Sequence, residues 1–157
     1  MKLTKPYPLT LVLQRTEEDC VLACAATILN LPYETVAIAC EDMFDAVRPL
    51  NIEEEFQLYK ELGFTSFQPL YTEHSNEFYW IAGKTYLATV PSLNNIYNSH
   101  RIIIQVEEVE EISKGKCKVN ILDPSPDSIL PTLDILQTPI TIFSITEVCY
   151  KGYIDWA

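Results

Sequence analysis

The sequence lacks the features that mark membrane, repeat and exported proteins. It has no stretch of about 18 uncharged apolar residues, so no membrane-spanning helix is predicted. It also has no internal repeat, low-complexity tract or clear linker, and residues 1–157 are therefore predicted to form a single domain. The apolar part of the N-terminal segment is too short and too broken by proline for a signal peptide, so a cytoplasmic location is expected.

Histidine and basic residues are also scarce. The chain has only 2 histidines and no Cys-x-x-Cys pair, so a metal site is not predicted. The 11 Lys and Arg residues against 22 Asp and Glu residues give a formal net charge of −11. Because this charge repels phosphate groups, nucleic acid and anionic membranes are not expected as partners.

The number of cysteines excludes a complete set of disulfide bonds within one chain. There are 5 cysteines, and an odd number always leaves one thiol unpaired. In a reducing compartment most free cysteines pack in the core as small apolar groups. A reactive role therefore needs a special position in the fold as well as a free thiol.

Helical patterns come first along the chain and strand patterns follow. Helices are predicted at residues 16–31, 33–45 and 51–63, where Asn51 can cap the third helix and Gly63 can end it. Strands are predicted at residues 86–90, 101–106 and 118–122, with one or two more within residues 139–156. The charged residues 107–116 are predicted to connect two of these strands as a hairpin. This order is typical of the α+β fold class.

One cysteine has a special position, because Cys20 lies at the start of the first, apolar helix. The unpaired N–H groups and the dipole of a helix start stabilise a thiolate and a developing oxyanion. Gln14 comes six residues earlier, where its amide could reach the same point. Three acidic residues directly before the cysteine are expected to oppose a thiolate: Glu17, Glu18 and Asp19.

A histidine and an aspartate flank the predicted hairpin. His100 opens the strand at 101–106 after a polar loop, and Asp123 closes the strand at 118–122 before Pro124. If the two strands pair, both residues lie at the same end of the hairpin. A carboxylate beside a histidine ring fixes its tautomer, as in a nucleophile, base and acid triad.

These pieces resemble the papain-like cysteine peptidases, and most of all their bacteriocin-processing branch, which cleaves after double-glycine leaders. The opening from Gln14 to Asn30 is similar in its glutamine six residues before the cysteine, its Asp-Cys pair and its helix rich in small residues. Later segments follow in the family's order over roughly residues 10 to 126: Glu61-Leu62-Gly63-Phe64, Leu87 to Val90, His100 before an aliphatic strand, and Asp123-Pro124.

The resemblance implies a papain-like fold, with N-terminal helices packed on a C-terminal antiparallel sheet. It implies a cysteine peptidase acting on a peptide or protein substrate without a cofactor. Cys20, His100 and Asp123 would be catalytic, and Gln14 would help to bind the oxyanion. The family usually has glycine after the nucleophile, where this chain has Val21. Two alternatives stay open: a weak or inactive peptide-binding module, and an amidase or transamidase with the same triad.

Overall fold

The computed structural model describes residues 6–72, 81–91, 99–111, 116–125, 132–134 and 143–150. The chain divides into two compact units, each described here by itself. The helical unit comprises Leu9–Thr65 and Asp123–Ser128. The sheet unit comprises Met1–Pro8, Ser66–Leu122 and Ile129–Ala157.

Three helices lie among the described residues of the helical unit: α1 (Cys20–Leu29), α2 (Tyr33–Phe44) and α3 (Ile52–Glu61). Helix α1 is almost wholly buried, with every residue from Leu22 to Ile28 inaccessible to solvent, as its apolar sequence predicts. Helix α2 packs against both α1 and α3, and its inward face carries Val36 and Cys40.

Helix α1 begins four residues later than predicted and ends at Leu29, two residues before the predicted end. At its end Asn30 adopts the left-handed conformation, with φ 54°, and its N–H donates to the carbonyl groups of Ala26 and Thr27. The late start has a local cause. The carboxylate of Asp19 accepts hydrogen bonds from the N–H groups of Arg15 and Thr16, so this segment forms a turn before the helix.

Helix α3 is bounded by two complete capping motifs. The Asn51 side chain accepts a hydrogen bond from the Glu54 N–H at 2.9 Å, and the Glu54 carboxylate accepts one from the Asn51 N–H at 3.1 Å. At the other end Gly63 has φ 91°, and the N–H of Phe64 bonds the carbonyl of Tyr59. This is a Schellman motif, in which glycine takes the left-handed position without strain.

The capping box gives a direct prediction about stability. Replacing Asn51 by alanine should lower the free energy of unfolding by about 1 kcal/mol, because the first turn of α3 loses its side-chain acceptor. Asn51→Asp keeps the acceptor and is the matched control. Urea denaturation of the two variants measures the difference, and equal midpoints would contradict the capping role.

The described strands of the sheet unit form one antiparallel sheet in the order β1-β6-β2-β3-β4-β5. The bounds of the strands are β1 Phe67–Thr72, β2 Thr85–Pro91, β3 Ser99–Glu111, β4 Lys116–Leu122, β5 Thr132–Asp134 and β6 Ser144–Val148. One apolar face of this sheet is a continuous cluster of side chains: Tyr86, Ala88, Ile102, Ile104, Val106, Val119, Ile121 and Ile145.

The predicted hairpin is present, and its strands are longer than expected. Ile103 pairs with Leu122 and Val106 pairs with Val119, which confirms the pairing of 101–106 with 118–122. The prediction that residues 107–116 only connect the strands was wrong, because β3 continues to Glu111 and β4 begins at Lys116. Two irregularities in the register let the ladder continue through the charged residues.

The mixture of helices and an antiparallel sheet confirms the α+β class. Strands β1 and β5 were not predicted, whereas β6 falls within the predicted region 139–148. The last predicted strand lies almost entirely outside the described residues. Within the described ranges no helix is both long and apolar enough to cross a membrane.

Candidate active site

Cys20 is the first residue of α1, and its side chain is partly exposed. The first hydrogen bond within the helix is donated by Ala23 to the carbonyl of Asp19, at 3.1 Å. The N–H groups of the residues before Ala23 therefore have no acceptor within the helix. This combination of an accessible thiol and a helix start is the position that the sequence predicts for a nucleophile.

The turn before Cys20 is built around the carboxylate of Asp19, which is fully buried. Its Oδ2 accepts hydrogen bonds from the Arg15 N–H at 3.0 Å and from the Tyr33 hydroxyl at 2.5 Å. Its Oδ1 accepts from the N–H and the hydroxyl of Thr16, at 3.0 and 3.2 Å. A buried carboxylate is stable only when its oxygens are bonded in this way.

Tyr33 joins this turn to the start of α2. Burial, together with the hydrogen bond to Asp19, raises the pKa of the Tyr33 hydroxyl well above its usual value, so the group stays protonated and donates. The guanidinium of Arg15 lies over the Tyr33 ring, 4.1 Å from its centre, and is paired with the carboxylate of Glu34. The Tyr33 side chain therefore stabilises the turn in two ways, through its hydroxyl at Asp19 and through its ring beneath Arg15.

The acidic residues before Cys20 thus differ in their surroundings. The four hydrogen bonds to the Asp19 carboxylate come from Arg15, Thr16 and Tyr33, and they offset its charge within the turn. Glu17 and Glu18 are exposed, where water and salt screen their charge. Asp19 is therefore bonded within the turn, whereas Glu17 and Glu18 face solvent.

Gln14 is anchored through its backbone and its amide. Its N–H donates to the carbonyl of Pro124 at 2.8 Å, and its Nε2 donates to the carbonyl of Thr16 at 2.7 Å. Its Oε1 is buried without a hydrogen-bond partner among the described residues. The role of Gln14 in binding an oxyanion stays a prediction, with one of its two amide hydrogens already used by the turn.

Asp123 directly follows β4 and is partly buried. Its Oδ1 accepts a hydrogen bond from the Ser125 N–H at 2.9 Å, which stabilises a tight turn around Pro124. Since Pro124 also accepts from Gln14, the structure brings the segment after Asp123 beside the segment before Cys20. Gln14, Cys20 and Asp123 all belong to the helical unit.

His100 belongs to the sheet unit, as the second residue of β3. It pairs with Val90 of β2 and is partly exposed. Leu122, the residue before Asp123, pairs with Ile103, which follows His100 by three residues. The other histidine, His74, lies outside the described residues.

The other described cysteines lie in surroundings that do not favour a thiolate. Cys24 and Cys40 are fully buried, and burial raises the pKa of the Cys40 thiol. The Cys149 thiol donates to the carboxylate of Glu147 at 3.1 Å, and burial followed by this carboxylate raises its pKa to about 11. The side chain of Cys117 is outside the described part of the chain. In the same part, no three His, Cys, Asp or Glu side chains are grouped to hold a metal ion.

Sequence reasoning missed the contact between Asp19 and Tyr33. Asp19 was interpreted as a charge near the thiol and as part of the Asp-Cys pair, and Tyr33 only as the start of a helix. The one available signal was an acidic residue directly before a fully apolar helix, because such a residue must be bonded if it is buried.

No family model matches the chain, and no curated protein matches it.

Proposed function

We propose that this protein is a papain-like cysteine peptidase in which Cys20 is the nucleophile, His100 the base and Asp123 the residue that orients the base. The observation that carries the proposal is the position of Cys20, partly exposed at the first residue of a buried helix. A turn held by a buried carboxylate fixes the backbone directly before it. The order of the three residues along the chain adds support.

The proposed reaction proceeds through a thioester. His100 removes the proton from the Cys20 thiol, and the sulfur attacks the carbonyl carbon of a peptide bond. The Cys20 N–H and the Gln14 amide stabilise the oxyanion that forms. His100 then gives its proton to the leaving amine as the C–N bond breaks. A water molecule, deprotonated by His100, hydrolyses the thioester and restores the thiol. Asp123 holds the His100 ring in the tautomer that both steps need.

Alkylation with iodoacetamide at pH 7 tests the nucleophile. Cys20 should react much faster than the other thiols, since Cys24 and Cys40 are buried and Cys149, with its pKa of about 11, is roughly one part in 10,000 thiolate. Peptide mapping by mass spectrometry at several time points gives the rate at each cysteine. The Cys20→Ala variant is the control, and equal rates at all thiols would contradict an activated Cys20.

One observation favours a second function, a peptide-binding module without turnover. Val21 occupies the first turn of α1 beside Cys20 and is partly exposed, so its branched side chain can narrow access to the thiol. Val21→Gly separates the two functions. Cleavage that appears or rises in this variant indicates a hindered enzyme, whereas peptide binding without cleavage in both forms indicates the binding module.

A further inference from the structure

Alternate backbone N–H groups in the segment before Cys20 are hydrogen-bonded. The N–H of Val12 donates to the hydroxyl of Thr27 at 2.9 Å, and the N–H of Gln14 donates to the carbonyl of Pro124 at 2.8 Å. These are alternate residues, and alternate N–H groups of an extended chain point to the same edge. The bonded edge therefore lies against α1 and residue 124.

The opposite edge carries the N–H and C=O groups of Leu11 and Leu13. Among the described residues, none makes a hydrogen bond to these groups. The two residues are 37% and 48% exposed. Because buried backbone groups are almost always paired, unpaired groups on exposed residues are bonded to water. The segment thus presents the polar edge and the apolar side chains of an uncovered edge strand.

Two exposed acidic residues, Glu17 and Glu18, lie in the chain between these leucines and the thiol. The nearest basic side chain in this stretch, Arg15, is already paired with Glu34. With a formal net charge of −11, the protein attracts a basic partner to this end of the edge.

We propose that an extended peptide binds here as an added strand, with apolar side chains on Leu11 and Leu13 and a basic residue beside Glu17 and Glu18. The inference rests on the proposed function and names its substrate class, an extended peptide that combines alternating apolar residues with a basic residue. Backbone pairing supplies affinity, and the alternate side chains supply selectivity.

Binding to the Cys20→Ala variant tests the site without turnover. The probe is a short fluorescein-labelled peptide that alternates valine and threonine and ends in lysines. Fluorescence anisotropy of the probe measures its binding. Adding Leu11→Ser and Leu13→Ser should weaken binding about ten-fold, because the apolar contact of two side chains is lost. Ile38→Ser removes another apolar side chain, 59% exposed on α2, and should leave binding unchanged. Equal effects of the two changes would overturn the proposal.

N-methylated probes test the backbone pairing. A strand at this edge bonds through alternate N–H groups of the peptide, so methyl groups on one alternate set should abolish binding and methyl groups on the other set should not. Equal binding of both probes would overturn the added strand. Replacing Glu17 and Glu18 together by glutamine should weaken binding about three-fold at low salt and leave it unchanged at high salt. An effect that is independent of salt, or no effect, would overturn the charge pairing.

The wild-type protein separates this inference from the proposed function. If it binds the probe as described and does not cleave it, the binding edge is supported and the peptidase proposal fails. If it cleaves the probe at a rate that the two leucine substitutions do not change, the peptidase proposal stands and the binding edge is wrong.

Discussion

Replacing Cys20 by alanine is expected to lower kcat for peptide cleavage about 10,000-fold or more. In the proposed mechanism this change removes the sulfur that would form the thioester, so no covalent route would remain. Mass spectrometry of a mixed peptide library incubated with the wild-type protein, including peptides with paired glycines, identifies a cleaved substrate. The same substrate then measures the rate of each variant.

His100→Ala should lower kcat about as much as Cys20→Ala does, and combining the two should lower kcat little further. When two residues act in the same catalytic step, replacing the first already abolishes that step, so replacing the second has little further effect. Asp123→Ala should reduce kcat less than His100→Ala, since it disturbs the orientation of the base and leaves the base in place. Additive losses would argue against one triad.

Cys149→Ala is the matched control for these variants. It removes a partly buried thiol whose pKa of about 11 keeps it protonated, and cleavage should be unchanged. Cleavage that persists in Cys20→Ala, or is lost equally in Cys149→Ala, would contradict the proposed nucleophile. A trapped acyl-enzyme whose product carries an added amine in place of water would instead indicate a transamidase with the same triad.

The helices were predictable where local signals decide their ends. Asn51 and Gly63 act through neighbours within three or four residues, and α3 is bounded by them as predicted. The Asp19 carboxylate closes a turn with the N–H groups of Arg15 and Thr16, and it is buried against the Tyr33 hydroxyl, fourteen residues away. Such a contact has no local pattern, and the prediction therefore extended the helix through a segment that forms a turn.

The sheet shows the same contrast between local signals, which are predictable, and long-range contacts, which are not. The hairpin of β3 and β4 pairs strands that are neighbours in the chain, and its register follows from aliphatic segments on both sides. Strand β1 pairs with β6, far along the chain, and contains Pro69, which lowers the strand signal of its own sequence. Its partner, rather than its composition, makes it a strand.

The elements that carry the three candidate residues were predictable, whereas their role as one site stays a prediction. The thiol at the helix start, the histidine near the start of β3 and the aspartate after β4 all occupy the elements that the sequence indicated. The hydrogen bonds that hold the turn before the thiol were not predictable. They are made by backbone groups and by a tyrosine whose side-chain direction depends on the packing of α2 against α1.

Asp19→Ala is expected to lower the free energy of unfolding by about 2–4 kcal/mol, which would make it one of the most destabilising single changes in the helical unit. The variant removes the acceptor of four hydrogen bonds and leaves the Tyr33 hydroxyl without its partner in a buried position. Urea denaturation measures the loss. Glu17→Ala, which removes an exposed carboxylate two residues earlier, should change the stability by less than about 0.5 kcal/mol.

Tyr33→Phe tests which part of this loss comes from the buried pair. It removes one hydrogen bond to Asp19 and keeps the ring beneath Arg15, so it should cost about 1 kcal/mol. The double variant with Asp19→Ala should be less destabilised than the sum of the two, because the unpaired hydroxyl is then absent. Additive losses would mean that the two side chains stabilise the protein independently. In that case the turn before Cys20 would be held by Arg15 and Thr16 alone, and Tyr33→Phe would leave the alkylation rate of Cys20 unchanged.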